Sequence, residues 1–261
     1  MFLKKSTPQN SGGFWNSWKN FGNICCLEQL VFLSKISILY LVFIFQYQIE
    51  MKGLAPMLPE DWKVDYLILW TFPWQKTLEI REKCWYEAYY MKGNNCFWEI
   101  IGYCFQDEYP TVKEKVERII ALKELFSKKN DLSENELKEK LQEIVELQQS
   151  IINIIHIALW DCCESANNAS SSDNSLEDIV HNELTNIFSR EQLANMSIIQ
   201  NGKSIIKDKK EIYQFKVNGE LQNAQYRAYS TSNWGFRHTP ILQKMEDWKT
   251  VFEQAKQKEK S

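Results

Sequence analysis

Short apolar runs recur along the chain and are separated by longer stretches in which apolar residues follow a helical period. Asp65–Phe72 is such a run, ended by Pro73, and predicts a buried strand followed by a loop. Ile154–Asp161, Met196–Gln200 and Tyr226–Tyr229 predict three more strands. Strands that alternate with helices favour an α/β fold. We therefore expect a three-layer sandwich with a central, mostly parallel four-stranded sheet flanked by helices.

The helical stretches begin at recognisable capping signals. Thr111 and Ser133 are each followed by Glu three residues later, which is the spacing of a capping box. Apolar residues then recur at helical intervals, which predicts a helical insertion over about residues 111–152. Further expected elements are a helix after Ser175 that extends to Phe188, a hairpin turn at Asn218-Gly219 and a final helix over Leu242–Ala255.

Residues 1–50 differ in pattern from the rest of the chain. Leu30–Tyr47 is a nearly continuous apolar run, barely long enough to span a bilayer, and lysines precede it as in a signal-anchor. Lys35 inside the run weakens that interpretation. Met51 begins a self-sufficient segment, so an over-extended reading frame is the interpretation we favour. The functional domain is expected to cover residues 51–261.

Composition narrows the class of protein without naming it. A hydrophobic fraction of 44% and a charged fraction of 25% are typical of a globular protein and exclude collagen, wholesale disorder and a polytopic membrane protein. The net charge of −3 neither indicates nor forbids nucleic-acid binding. Seven Cys without CxxC spacing and three isolated His predict no metal site and no disulfide scaffold. We expect a cytoplasmic protein without a metal or other cofactor.

Four segments follow one another in an order that resembles a known family. They are Leu67-Ile68-Leu69-Trp70-Thr71-Phe72-Pro73, then Tyr89-Tyr90-x4-Asn95-x-Phe97-Trp98, then Ile157-Ala158-Leu159-Trp160-Asp161, and last Ser230-Thr231-Ser232. This order resembles the hypoxanthine/uracil branch of the uracil-DNA glycosylase superfamily, over about residues 51–255. The resemblance implies a monofunctional glycosylase of base-excision repair, which flips a deaminated base out of DNA and hydrolyses its N-glycosidic bond.

The resemblance also implies roles for residues of the first two segments. Asn95 is the expected catalytic residue, which orients the water or the linkage between sugar and base. Its alternative role is to satisfy a turn, the commoner fate of an Asn in such a loop. The residues expected to line the base pocket are Thr71, Phe72 and Pro73 in the loop after the first strand, Tyr90, and Phe97, which would stack on the base.

The last two segments imply a second active-site loop at Ser230–Ser232 and a candidate general base at Asp161. Ser230, Thr231 and Ser232, with Arg237 and His238 beyond them, are expected to contact phosphate or the leaving base. For Arg237 and His238, exposure as ordinary polar residues is an equally good interpretation. Asp161 is either a general base or, preferably, the cap of a helix over Cys162–Ala166.

Two residues depart from the family pattern and keep other functions open. Trp70 stands where the family has Gly, which would reshape the pocket floor, and Asn233 stands where it has Pro. One alternative is therefore a catalytically altered or inactive nucleic-acid-binding protein of the same fold. The other is a membrane-tethered interaction protein, if Leu30–Tyr47 is a real anchor. The leading hypothesis remains a monomeric glycosylase whose partner is DNA that contains uracil or hypoxanthine.

Overall fold

A computed structural model describes residues 50–70, 95–127, 133–168, 176–202, 213–232 and 239–258. All of them belong to one compact unit, Glu50–Ser261. In chain order its elements are β1 Glu50–Lys52, β2 Tyr66–Trp70, α1 Phe97–Phe105, α2 Pro110–Ser127, α3 Glu134–Ile155, β3 Ile157–Asp161, β4 Cys163–Asn168, β5 Leu176–His181, a 3-10 turn Leu184–Asn186, α4 Arg190–Asn195, β6 Ser197–Asn201, β7 Gln214–Val217, β8 Glu220–Asn223, β9 Tyr226–Ala228 and α5 Ile241–Lys258.

Four parallel strands form the centre of the fold in the order β3-β2-β6-β9. The predicted α/β architecture, with a parallel four-stranded sheet flanked by helices, is thus confirmed. All four strands lie where the apolar runs predicted them, apart from residues at their ends. At the carboxyl edge of the sheet, Trp70 lies beside Asp161 in the register of β2 and β3.

Successive side chains of β2 point to opposite faces of the sheet, and each face has its own hydrophobic core. Tyr66 and Ile68 face the layer built from α1, α2, α3 and α5, whereas Leu67 and Leu69 face a second layer. That second layer contains α4, the 3-10 turn and residues of the strands β4, β5 and β7. All four of these side chains are buried. Each buried aliphatic side chain contributes roughly 1.5–3 kcal/mol, so both layers stabilise the sheet.

The helical layer confirms one capping box and corrects one strand boundary. The Ser133 hydroxyl accepts a hydrogen bond from the Glu136 amide at 3.3 Å, and the Ser133 amide donates to the Glu136 carboxylate at 2.8 Å. The helix that follows extends through Ile155 and ends at His156, whose φ is 51°. The predicted strand from Ile154 is therefore wrong at its start, because two apolar residues assigned to it complete the helix.

The predicted helix after Ser175 is wrong, because that segment is the strand β5. Strand β4 pairs antiparallel with β5 on one side and with β1 on the other. The pairing satisfies backbone groups that a helix would have satisfied internally, so tertiary contacts outweigh the local capping signal. The helix that Asp161 was expected to cap is absent as well, since residues 163–168 form the extended strand β4.

The hairpin turn is confirmed at Asn218-Gly219, between β7 and β8. Both residues have positive φ, 53° and 81°, as the two-residue turns of hairpins require. The final helix is confirmed as α5. In the described part of the chain, no helix is long and apolar enough to cross a membrane. The apolar run 30–47, with the anchor and reading-frame hypotheses, lies outside the described residues.

Gly53, the residue after β1, closely approaches the backbone of β4. Its amide donates to the Glu164 carbonyl at 2.7 Å, and a Cβ at Gly53 would lie 2.6 Å from the Cys163 carbonyl oxygen. We expect Gly53→Ala to lower the free energy of unfolding by about 1–3 kcal/mol, because backbone must move to admit the methyl group. Urea denaturation followed by circular dichroism measures this, and an unchanged midpoint would contradict it.

Candidate functional site

Two of the segments predicted to share a site meet at the carboxyl edge of the sheet. Asn95 forms an antiparallel bridge with Ser232. Beside the bridge, the Cys96 amide donates to the Thr231 carbonyl at 3.0 Å, and the Cys96 thiol donates to the same oxygen at 3.1 Å. The structure therefore joins the Asn95 segment directly to the Ser230–Ser232 loop, which follows strand β9. We call this contact the 95/232 junction.

The Asn95 side chain takes part in the turn that begins helix α1. Its Oδ1 accepts a hydrogen bond from the Phe97 amide at 2.9 Å. The turn role that sequence analysis named as the alternative is thus present. The turn role is compatible with the catalytic role, because the amide NH₂ can still donate a hydrogen bond. The bond to Phe97 also restricts the side-chain rotamer. An Asn held this way is oriented before any ligand arrives.

Thr231 faces the protein interior and not a ligand. It is fully buried, and its hydroxyl accepts a hydrogen bond from Asn201 Nδ2 at 2.9 Å. The Thr231 amide in turn donates to Asn201 Oδ1 at 3.0 Å. This reciprocal pair ties the loop after β9 to the last residue of β6. The Thr231 hydroxyl is therefore bonded to Asn201, a residue that the four sequence segments do not include, and contact of this loop with phosphate or the leaving base stays a prediction.

Two lysines hold the backbone of the 95/232 junction. Lys123 of α2 donates to the Asn95 carbonyl, and Lys244 of α5 donates to the Ser232 carbonyl at 2.8 Å. Lys244 is 3% exposed, and this burial lowers the pKa of its amino group. Lys123 also lies 3.5 Å from the Glu99 carboxylate. The sequence does not distinguish these two lysines from others, since lysines on amphipathic helices usually mark the solvated face.

Aromatic rings close the space beneath the junction. Phe97 is 1% exposed, and its ring lies edge-to-face against Trp70 with centroids 4.9 Å apart. Trp248 packs against the same ring at 6.2 Å. A base could stack on Phe97 only after these neighbours moved apart, so the observed position of Phe97 is that of a core residue. Trp98 is buried as well.

Asp161 lies on the same sheet edge as Trp70 but is closed off from solvent. It is 1% exposed, and its Oδ2 accepts a hydrogen bond from the Leu54 amide at 3.0 Å. Burial raises the pKa of this carboxyl to about 7. The carboxyl therefore tethers the segment after β1 to the end of β3. A general base needs access to water, and the observed burial does not provide it.

Six predicted site residues lie outside the described part of the chain: Thr71, Phe72, Pro73, Tyr90, Arg237 and His238. Their convergence on Asn95 stays a prediction. A cavity of about 370 Å³ lies elsewhere, between Leu54–Glu60 and helix α3, and contains none of the predicted site residues. Among the described residues, no group of three His, Cys, Asp or Glu side chains is placed to hold a metal ion.

The chain is similar to a solved structure. It is the solution structure of a "putative Uracil DNA glycosylase" from Methanosarcina acetivorans, with 17% identity, a TM-score of 0.43, and coverage of 80% of this chain and 99% of that one. No protein-family model and no curated protein matches the chain. Likeness at this level assigns no family, so the function must be argued from the site itself.

Proposed function

We propose that this protein is a DNA glycosylase that hydrolyses the N-glycosidic bond of a deaminated base, uracil or hypoxanthine, after base flipping. The 95/232 junction carries the proposal. The order of the four segments predicts that Asn95 and Ser232 belong to the site, and the two residues pair at the carboxyl edge of a parallel sheet. That edge is where ligands bind in open α/β folds.

The reaction determines what the site must provide. As the bond from C1′ to the base breaks, its electron pair leaves with the base and positive charge grows on the sugar. Water then adds to C1′ and loses a proton to solvent, and the released base anion takes up a proton from solvent. Groups that donate hydrogen bonds to the base stabilise the growing negative charge. The Asn95 amide can donate through Nδ2, while its restrained Oδ1 retains a lone pair that can orient water. None of these steps requires a metal ion.

Excision from defined oligonucleotides tests the proposal. The purified full chain is incubated with duplex and single-stranded oligonucleotides that contain uracil, hypoxanthine or thymine, and abasic sites are revealed by alkaline cleavage. We expect cleavage at one or both deaminated bases and none at thymine. If neither deaminated base is released above the level seen with Asn95→Ala protein, the proposed activity is absent.

A non-catalytic nucleic-acid-binding protein of the same fold is the second candidate. Trp70 favours it, because its indole packs against Phe97 at the sheet edge where the family pattern has Gly. This candidate predicts oligonucleotide binding that weakens steeply with salt and is not followed by base release. Filter binding across a salt series, run beside the excision assay, separates the two candidates.

A further inference from the structure

We propose that Lys123 and Lys244 are positioning residues that clamp the 95/232 junction, each by binding one of its two bridged residues. The ammonium group of each lysine binds the backbone carbonyl of one of the two bridged residues. The lysines come from different helices, α2 and α5, so the clamp connects the junction to two parts of the helical layer. Its catalytic consequence, though not the clamp itself, rests on the proposed glycosylase function.

The burial of Lys244 indicates that its ammonium group holds the loop after β9 in place. A lysine side chain is almost never fully buried unless its ammonium group is compensated, because removal from water is costly. Lys244 is 3% exposed and places its ammonium group 2.8 Å from the Ser232 carbonyl oxygen. An exposed lysine could not hold that loop as firmly, since water would compete for both groups. The buried ammonium group therefore lies where the loop after β9 meets the Asn95 segment, and it stabilises the loop at that contact.

Lys123 acts on the other half of the junction. Its ammonium group donates to the Asn95 carbonyl and lies 3.5 Å from the Glu99 carboxylate, which neutralises part of its charge. The Asn95 carbonyl belongs to the same peptide group as the Cys96 amide, and that amide donates to Thr231. A cation on the carbonyl polarises the peptide and strengthens the hydrogen bond on its other side. Both lysines thus act on the backbone that carries Asn95.

The clamp predicts a local effect that does not depend on catalysis. In Lys244→Met, we expect the Cys96 amide to exchange its hydrogen about 10- to 100-fold faster, since the junction opens more easily once a charge-assisted hydrogen bond is lost. Lys123→Met should show the same effect. The Gln106 amide at the carboxyl end of α1, which donates to the Gly102 carbonyl at 3.0 Å, should stay protected. Hydrogen exchange followed by NMR measures both sets of amides.

Matched variants control for loss of charge and for loss of a long side chain. Lys113→Met alters an exposed lysine on α2, and Lys249→Met alters a lysine on α5 with a side-chain exposure of 37%. Neither should change exchange at Cys96. Urea denaturation of every variant shows whether faster exchange comes from global unfolding, in which case the Gln106 amide would also lose protection.

Single-turnover excision tests the catalytic consequence. At saturating enzyme, we expect the rate constant to fall about 10- to 100-fold in Lys244→Met while the oligonucleotide dissociation constant changes little, since a misplaced Asn95 affects the chemical step. Unchanged Cys96 protection overturns the clamp. Lost protection with an unchanged excision rate overturns its role in positioning Asn95. If the wild-type protein excises no base, the proposed function fails while the exchange measurement still decides the clamp.

Discussion

Replacement of Asn95 by Ala is expected to reduce the single-turnover excision rate about 100- to 1,000-fold, the usual loss when one oriented donor to a developing anion is removed. Ala has no amide to donate to the base or to position water. The variant also leaves the Phe97 amide without the acceptor that Asn95 Oδ1 provides at 2.9 Å. Because this loss alone could cost about 1 kcal/mol of stability, the two roles of Asn95 must be separated.

Asn95→Asp separates them. The carboxylate retains an acceptor for the Phe97 amide, so the turn that begins α1 should persist. It lacks the NH₂ donor, and its negative charge would oppose the departure of an anionic base. We therefore expect Asn95→Asp to lose excision as severely as Asn95→Ala while it retains near wild-type stability. Asn195→Ala, on the exposed end of α4, is the matched control and should remain fully active.

The second large effect is expected in stability, from Asp161→Asn. Burial raises the pKa of Asp161 from 3.8 to about 7 in the folded protein. Between these values the unfolded chain loses the proton and the folded chain retains it, so wild-type stability falls as pH rises from about 4 to about 7. The Asn side chain still accepts from the Leu54 amide and has no charge to bury. The variant should therefore gain up to about 4 kcal/mol over wild type above pH 7.

The pH profile of this gain distinguishes ionisation from packing. Urea denaturation at several pH values between 4 and 8 should show little difference near pH 4 and a growing advantage for the variant up to pH 7. Asp107→Asn, whose side chain is 82% exposed, is the control and should differ from wild type by little at any pH. A difference between wild type and Asp161→Asn that does not vary with pH would contradict the raised pKa.

Local signals in the sequence correctly predicted those elements whose stability is largely local. The capping box at Ser133 and the Asn218-Gly219 turn depend on residues within a few positions of each other, and both are confirmed. The four apolar strands were predictable because a parallel sheet covered on both faces needs runs of buried residues. The helix expected after Ser175 failed for the opposite reason, since β5 depends on pairing with β4, which no local pattern reports.

For the candidate site, the sequence by itself determined the order of its segments and the choice of Asn95 and Ser232. Only the tertiary structure decided that these residues pair, that Asn201 donates a hydrogen bond to the Thr231 hydroxyl, and that lysines from two helices bind the junction. A lysine on an amphipathic helix has the same pattern whether its ammonium group reaches water or a buried carbonyl. Its role is set by contacts between residues far apart in the chain, and such contacts exist only after the fold has formed.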